Sequence, residues 1–271
     1  MRLFILSLSG KFQVIFIIGL TIILAFMMAI ICGLFFDTHQ LVTNTELISA
    51  VYQVMGTIYA ILLTFTLWGV WQNFIEADSS VQNESYALLD LVHIIESSST
   101  WKNSNIRAAA ITYLKLVLEQ EWSTLKNLTS AMINTREHGC TSAMHVINAV
   151  QTITPDTKKD DVLFGQAFTF LSRWLDARRT RILIARGDSA KALWPLLLTG
   201  SFVLFAFHGL FVAKTIGIWT TLLFGTSLVI GVTFYLIFTL DCPFEGSISI
   251  DSEPFTLAIN ILEQVKPDVQ I

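Results

Sequence analysis

The chain has 271 residues, of which 53% are apolar and only 14% carry a charge. A soluble domain has about 25% charged residues and roughly 45–50% apolar ones. The 17 basic and 21 acidic residues give a net charge of −4, which argues against binding of nucleic acid. The three cysteines (Cys32, Cys140 and Cys242) are odd in number and far apart, which excludes a disulfide framework and a CxxC zinc motif. The composition therefore predicts a membrane protein.

Four stretches contain no Asp, Glu, Lys or Arg and are long enough to cross a bilayer. At a rise of 1.5 Å per residue, about 20 residues span a hydrocarbon core of about 30 Å. Lipid offers the backbone no hydrogen bonds, so each stretch is predicted to be a helix. The four predicted spans are Phe12–Phe36, Leu47–Trp71, Ala192–Ala213 and Thr215–Leu240.

The distribution of basic residues predicts the orientation of the chain. Two basic residues precede the first span, none lies in the loop 37–46, 13 lie in 72–191, and the last two follow the third and fourth spans singly. Because basic loops stay in the cytoplasm, both termini and the middle segment are predicted to be cytoplasmic. The predicted fold class is all-α: a polytopic membrane protein with four transmembrane helices and a helical cytoplasmic insert between the second and the third. The expected divisions are 1–71 for the first helix pair, 72–191 for the insert, 192–240 for the second pair and 241–271 for a cytoplasmic tail.

The insert is predicted to be helical because Gly and Pro are rare in it. Its first helix continues the second span, and its last helix is predicted to begin at Thr154 and Pro155, a threonine cap followed by proline. In the tail, Ser252 is predicted to cap a helix with a single apolar stripe, which would dock on the insert or on a neighbouring subunit. That stripe consists of Leu257, Ala258, Ile261, Leu262 and Val265.

The second span carries the most informative side chains. Small polar residues recur at helical spacing on one of its faces, with large apolar residues beside them. Such a face lines a water-filled path or packs against another helix, and both interpretations stay open because Thr and Ala favour close helix contacts too. The pore-lining candidates are Thr57, Ala60, Ile61, Thr64, Phe65 and Trp68.

Other polar residues give weaker indications. His208 lies inside a predicted span, where it is either a proton or ion group or a neutral, hydrogen-bonded side chain. Glu119 and Glu121 point to different faces of a helix, which disfavours an acid–base pair. No GxSxG, Walker, HExxH or GxGxxG motif occurs, so the chain is not expected to be an enzyme. No cofactor or metal site is predicted, since the residues Glu137, His138, Cys140 and His145 match no common zinc spacing.

Several stretches resemble the bestrophin-like family of bacterial membrane proteins. They are IYAILLTFTLWGVWQNFIEADSSVQNESYALLDL, ITYLKLVLEQEW, ALWPLLLTG and LDCPFEGSISI, and the resemblance covers about residues 12–260. The matching positions are Phe65, Trp71, Glu76, Ala77, Glu84, Ala87, Tyr113, Glu119, Trp122, Trp194, Asp241, Pro243, Phe244 and Gly246.

The resemblance implies an oligomeric ion channel whose second helix lines the pore and carries a narrow apolar neck. It also makes Glu76, Glu84, Glu119 and Trp122 expected members of a buried polar network near the basic run 178–186. Calcium gating is not carried over, because the acidic residues of the tail are irregularly spaced.

The expected function is a homo-oligomeric channel or channel-like pore of the bacterial inner membrane, surrounded by lipid and passing small inorganic ions. The alternative is a non-conducting scaffold or sensor whose insert binds a partner protein. A secondary transporter is disfavoured, because no pair of helices broken by Gly or Pro is visible.

Overall fold

The computed structural model describes residues 10–35, 44–101, 104–125, 134–185, 190, 192–211, 216–246 and 248–264, and within these ranges it is helical and contains no strand. The helices, in chain order, are α1 (Gly10–Phe35), α2 (Thr45–Glu96), α3 (Ile106–Leu116), a π-helical turn (Val117–Glu121), α4 (Trp122–Leu125), α5 (Asn134–Gln151), α6 (Lys158–Ile184), α7 (Trp194–His208), α8 (Ile216–Leu240) and α9 (Glu253–Gln264).

The described residues form two compact units. The first, which we call the apolar unit, is built from the described parts of 10–74 and 190–242, with Gly246 and Ile248. The second, the insert unit, is built from the described parts of 75–185 and 249–264, with residues 243–245. Helix α2 has 52 residues without interruption and contributes to both units.

Three of the described helices are long and apolar enough to cross a membrane: α1, α2 and α8. Helix α7 is apolar too but has 15 residues, or about 22 Å at 1.5 Å per residue, less than the hydrocarbon core of about 30 Å. A turn at Gly209 and Leu210 follows it. The predicted span Ala192–Ala213 therefore contains a shorter helix than its apolar run suggested.

The apolar unit packs through small residues. A Cβ atom added to Gly209 would lie 2.0 Å from the carbonyl oxygen of Ala29, and one added to Gly200 would lie 2.5 Å from the ring of Tyr59. The Tyr59 hydroxyl donates a hydrogen bond to the carbonyl of Leu197 at 2.8 Å. Glycine lets membrane helices approach this closely, and larger buried side chains such as Leu197, Phe205 and Phe234 fill the space between them.

The insert unit has a conventional buried core. The α2 positions Ala77, Val81, Leu88, Leu91, Val92 and Ile95, at which the sequence shows helical periodicity, are all 0% exposed.

Helix α6 begins later than predicted. Thr157, not Thr154, is its cap: the Thr157 hydroxyl accepts from the Asp160 backbone N–H, and the Asp160 carboxylate accepts from Thr157. The Thr154 carbonyl instead accepts from the Trp101 indole N–H at 3.0 Å. That hydrogen bond holds Thr154 in the loop before the helix.

Candidate functional site

The pore-lining candidates lie on an exposed face of α2. Within the apolar unit, Ile61, Phe65 and Trp68 are 52%, 71% and 61% exposed, and the smaller candidates are exposed as well. The opposite face packs into the unit, where Leu63 and Val70 are 8% and 3% exposed. The two faces of one helix therefore have different surroundings. The smaller candidates are Thr57, Ala60 and Thr64.

The threonine hydroxyls on this exposed face are satisfied within their own helix. The Thr57 hydroxyl donates to the Gln53 carbonyl and the Thr64 hydroxyl to the Ala60 carbonyl, both at 2.8 Å. Each hydroxyl oxygen still has lone pairs that accept hydrogen bonds. The face is therefore mildly polar and presents acceptors, while it leaves no hydroxyl proton without a partner.

His208 ends α7 among aromatic rings. Its ring centroid lies 6.1 Å from Tyr52, 6.0 Å from Phe211 and 5.9 Å from Trp219. The side chain is buried, and Nδ1 has no hydrogen-bond partner among the described residues. The Trp219 indole donates to the His208 backbone carbonyl at 3.3 Å. His208 is thus packed inside the apolar unit, away from the exposed face of α2.

A second feature is a buried ion network in the insert unit. Glu84 and Arg181 are both 0% exposed, and Arg181 donates to both oxygens of that carboxylate, at 2.6 Å from Nε and 3.0 Å from Nη2. Arg181 Nη2 also donates to Glu121 at 2.7 Å, and Arg178 donates to Glu121 at 2.8 Å. The Tyr113 hydroxyl donates to Glu84. Two guanidinium groups and two carboxylates are therefore buried together without net charge.

Burial and charge shift the pKa values of Glu121, Arg181 and Tyr113 in directions that preserve these hydrogen bonds. Burial raises the pKa of Glu121, but Arg181 and Arg178 more than offset it, so the pKa lies below its ordinary value. Burial lowers the pKa of Arg181, and Glu84 and Glu121 overcome it to hold that pKa well above the ordinary value. Burial also raises the pKa of Tyr113, so its hydroxyl stays protonated and keeps donating.

The π-helical turn Val117–Glu121 brings Glu121 into the network. In a regular α-helix, Tyr113 and Glu121 would differ by about 80° around the axis. One extra residue in a π turn reduces this difference to about 20°. Glu121 is therefore buried on the side of Tyr113, whereas Glu119 is exposed. The family resemblance implied Glu119 as a network member; in the structure Glu121 occupies that place.

The tail helix α9 docks on the insert unit through a face that only partly overlaps the predicted stripe. Leu257 and Ile261 are 49% and 39% exposed, while Ala258 and Leu262, both predicted, are buried. Phe255 is 0% exposed, packs edge-to-face on Trp122 and lies under the Arg181 guanidinium at 5.6 Å. Ile259 is buried on the same docked face. The remaining predicted stripe residue, Val265, lies outside the described residues.

Hydrogen bonds hold this docked helix at both ends. The Ser85 hydroxyl donates to the Pro254 carbonyl at 2.7 Å, and Arg107 donates to the Leu262 carbonyl at 2.7 Å. Arg107 also forms a two-point ion pair with Glu96. The positive side chain at the C-terminal end of α9 is favourable for the helix dipole as well.

The turn after α8 explains four of the residues in the family pattern. Asp241 accepts a hydrogen bond from the Ala190 backbone N–H at 3.0 Å, and the Pro243 carbonyl accepts from the Ile250 N–H at 2.8 Å. Phe244 packs on Trp122 with ring centroids 5.6 Å apart. Gly246 has φ 84°, a left-handed conformation that glycine adopts without strain.

Two further residues of the family pattern, one of them the predicted network member Glu76, lie away from the ion network. Trp71 is 45% exposed and stacks on Phe74 at 6.4 Å. Glu76 is exposed and lines an open groove of about 570 Å³ between α2 and α6, together with Tyr86, Asp90, Arg173 and others.

No group of three or more metal-ligating side chains occurs within the described part of the chain. The side chains of Glu137, His138 and Cys140 lie outside that part, and His145 is exposed.

Comparison with known proteins identifies relatives by family and by fold. A family model described as the Bestrophin-like domain matches residues 20–255. No curated protein matches the chain.

Solved crystal structures share the fold over nearly the whole chain. One, described as a membrane protein with a point mutation, has a TM-score of 0.65 and 17% identity, and the match covers 91% of this chain and 96% of that one. A mutant of a bacterial bestrophin homologue from Klebsiella pneumoniae has a TM-score of 0.60 and 16% identity, with coverage of 92% and 95%. A second mutant of that homologue has a TM-score of 0.56 and 16% identity, with coverage of 93% and 97%. With most of its length matched by the family model, this membrane protein belongs to the Bestrophin-like family.

Proposed function

We propose that the chain is one subunit of a homo-oligomeric ion channel in the bacterial inner membrane, with the exposed face of α2 lining the pore. The pathway passes small inorganic ions between subunits arranged around a central axis. In this proposal the stretch Ala192–Ala213, which contains α7, is the third of four spans, and the insert and both termini are cytoplasmic. The insert unit forms the wall of a cytoplasmic vestibule.

The observation that carries the proposal is the contrast between the two faces of α2. Leu63 and Val70 pack inside the apolar unit, while Thr57, Ala60 and Thr64 are exposed. A single chain would present that small, mildly polar face to lipid. Cyclic assembly turns the same face of every copy toward one axis, where the threonine oxygens meet water.

The bulky residues of the same face suit a constriction. Ile61, Phe65 and Trp68 are all more than half exposed, so each of them projects from the subunit surface. Apolar rings in a channel gate by excluding water from a narrow passage. We therefore place an apolar neck at Ile61 and Phe65, one turn apart on the helix.

A stripe on α8 supports assembly. Gly217, Thr221 and Gly225 recur every four residues, a spacing typical of close helix packing. Within this chain the two glycines have open space where a Cβ would stand, and Thr221 is exposed. The stripe is available to a neighbouring subunit.

The alternative, a scaffold or sensor that binds a partner protein, is favoured by the groove between α2 and α6. Its charged lining is three carboxylates and one guanidinium, and its aromatic lining is Tyr86 and Phe170. The charged residues are Glu76, Asp90, Asp176 and Arg173. A partner with a basic surface would fit it.

Ion flux into liposomes tests the proposal. The purified oligomer, reconstituted in vesicles with a salt gradient, is expected to dissipate the gradient of at least one of K⁺, Na⁺ or Cl⁻. A projection image should show a central hole on the symmetry axis. Intact, correctly oriented protein that passes none of these ions, or an oligomer with no central hole, would contradict the channel and favour the scaffold.

A further inference from the structure

Three nitrogen donors of α6 stand out because each is buried and has no hydrogen-bond partner among the described residues: Trp174 Nε1, Arg178 Nε and Arg181 Nη1. Trp174 and Arg181 are 0% exposed and Arg178 is 9% exposed. Buried N–H groups in folded proteins nearly always have a partner, because leaving one unmet forfeits the hydrogen bond that it made with water.

The three donors lie on one face of one helix. Positions 174, 178 and 181 are spaced by four and three residues, which places them above one another on successive turns. The Tyr113 ring packs beside two of the side chains that carry these donors: its centroid lies 4.8 Å from the Trp174 ring centroid and 5.9 Å from the Arg178 guanidinium carbon. The unmet donors therefore belong to one region of the interior, the region of the ion network.

Acceptor capacity remains next to these donors. A carboxylate offers about four lone-pair sites. Glu84 accepts three hydrogen bonds, one from Tyr113 and two from Arg181. Glu121 accepts two, from Arg178 and Arg181. A molecule that accepts from the α6 nitrogens and donates to these carboxylates would satisfy both sides.

We propose that the insert unit holds buried, ordered water beside Trp174, Arg178 and Arg181, bridging their free N–H groups to Glu84 and Glu121. Water both accepts and donates, as this set of groups requires, and buried waters in proteins make about three hydrogen bonds to such groups. A halide ion would accept from the same nitrogens but donates nothing. It would also add an uncompensated negative charge beside two carboxylates, whose charges the two arginines already balance.

A structure of the full-length oligomer, at a resolution that shows ordered water and with sodium bromide in the buffer, tests this site. We expect non-protein density about 2.7–3.2 Å from Trp174 Nε1 and from at least one of the two arginine nitrogens, without anomalous signal at the bromine edge. Trp101 is the internal control. Its buried indole donates to the Thr154 carbonyl, so no water is expected at its Nε1. The site does not depend on the proposed channel function, and a non-conducting protein would hold the same water.

Three results would overturn the proposal. The first is bromide signal at this position, which would make it an anion site. The second is the absence of density at Trp174 Nε1, or its absence at both Arg178 Nε and Arg181 Nη1. The third is a side-chain arrangement in which protein oxygens already accept from them. The Trp174→Phe variant gives a second measurement, because it should lose the density at position 174 while the density at the arginine nitrogens stays.

Discussion

The apolar unit and the insert unit solve the problem of buried polar groups in opposite ways. In the apolar unit, the threonine hydroxyls of α2 bond to the backbone of their own helix, as Thr66 does to the Leu62 carbonyl at 2.8 Å. In the insert unit, charges from distant parts of the chain meet, as Glu84 and Arg181 do across 97 residues. The first arrangement is complete within one helix, whereas the second exists only when the whole unit has folded. We therefore expect the insert unit to depend on single polar side chains and the apolar unit to tolerate their loss.

The largest effect is expected at Arg181. Replacing it with methionine, Arg181→Met, leaves Glu84 and Glu121 buried without their shared cation, and breaking a buried ion pair in this way costs about 3–5 kcal/mol. The matched control is Arg179→Met, because Arg179 pairs with Asp176 while both are 73% exposed. An exposed pair contributes roughly 0–1 kcal/mol. Thermal unfolding in detergent should show a large fall in Tm for the first variant only, and equal shifts would contradict the contrast.

The docked face of the tail ranks next. Phe255→Ala removes a fully buried ring between Trp122 and Arg181, and such truncations cost about 3–5 kcal/mol in a core that cannot collapse. The cost to the whole unit is smaller if α9 undocks by itself, because the rest of the insert unit then stays folded. Leu257→Ala, on the same helix but 49% exposed, is the control and should change little. The rate at which a protease cleaves the tail measures the difference between the two variants. If the Leu257 variant is cleaved as fast as the Phe255 variant, the docked face is not the one that contains Phe255.

The loss of folding stability at acidic pH gives a further test of the comparison. The pKa of Glu121 in the folded protein lies below its ordinary value of 4.5. At a pH between the folded pKa and the ordinary pKa, the unfolded chain therefore binds more protons than the folded one. The stabilisation from this carboxylate is thus present above about pH 4.5 and is lost as the pH falls through the folded pKa. Unfolding midpoints between pH 6 and pH 3 should fall less steeply for Glu121→Gln than for the wild type. Parallel curves would mean that Glu121 is not paired in solution.

The smallest effect is expected in the apolar unit. Thr66 is buried, with 4% exposure, yet its hydroxyl bonds only to its own helix. Thr66→Val keeps the shape and removes one local hydrogen bond, worth about 1 kcal/mol or less. Oligomer yield and Tm should stay near the wild-type values. A loss as large as that of Arg181→Met would show that both units rely on buried polar groups alike.

Periodicity in the sequence predicted the helical core well, because burial repeats with the turn of an α-helix. The family resemblance predicted Glu119 as a member of the buried network, but at the end of the π-helical segment it is Glu121 that pairs with the buried Arg181 guanidinium. No local residue pattern predicts the extra residue of the π-helical turn, because the ion pairs of Glu121 with Arg178 and Arg181 that accompany it join distant parts of the chain.

The tail shows a second reason for failure. Leu257 and Ile261 form a plausible apolar stripe with Ala258 and Leu262, but α9 has more apolar positions than one face holds. Phe255 decides the docked face because Trp122 and Arg181 accommodate its ring, and those contacts come from residues far away in sequence. On α2, the residue types left open whether the face of Thr57 and Thr64 lines a water-filled path or packs against another helix. That face is exposed in this chain, and conduction measurements test whether it is a pore wall.

A pair of neighbouring lysine substitutions on α2 tests the central claim most directly. Thr64 lies on the exposed face and Leu63 on the packed face, so the two changes differ only in the side of one helix. A charge near the bilayer centre costs about 2.5–3.5 kcal/mol and is tolerated mainly beside water. The account predicts that Thr64→Lys assembles normally in liposomes and shifts the reversal potential toward anion permeability, while Leu63→Lys lowers expression or breaks the oligomer. If both variants are equally disruptive, or if Thr64→Lys assembles with unchanged selectivity, the exposed face of α2 does not line an ion pathway.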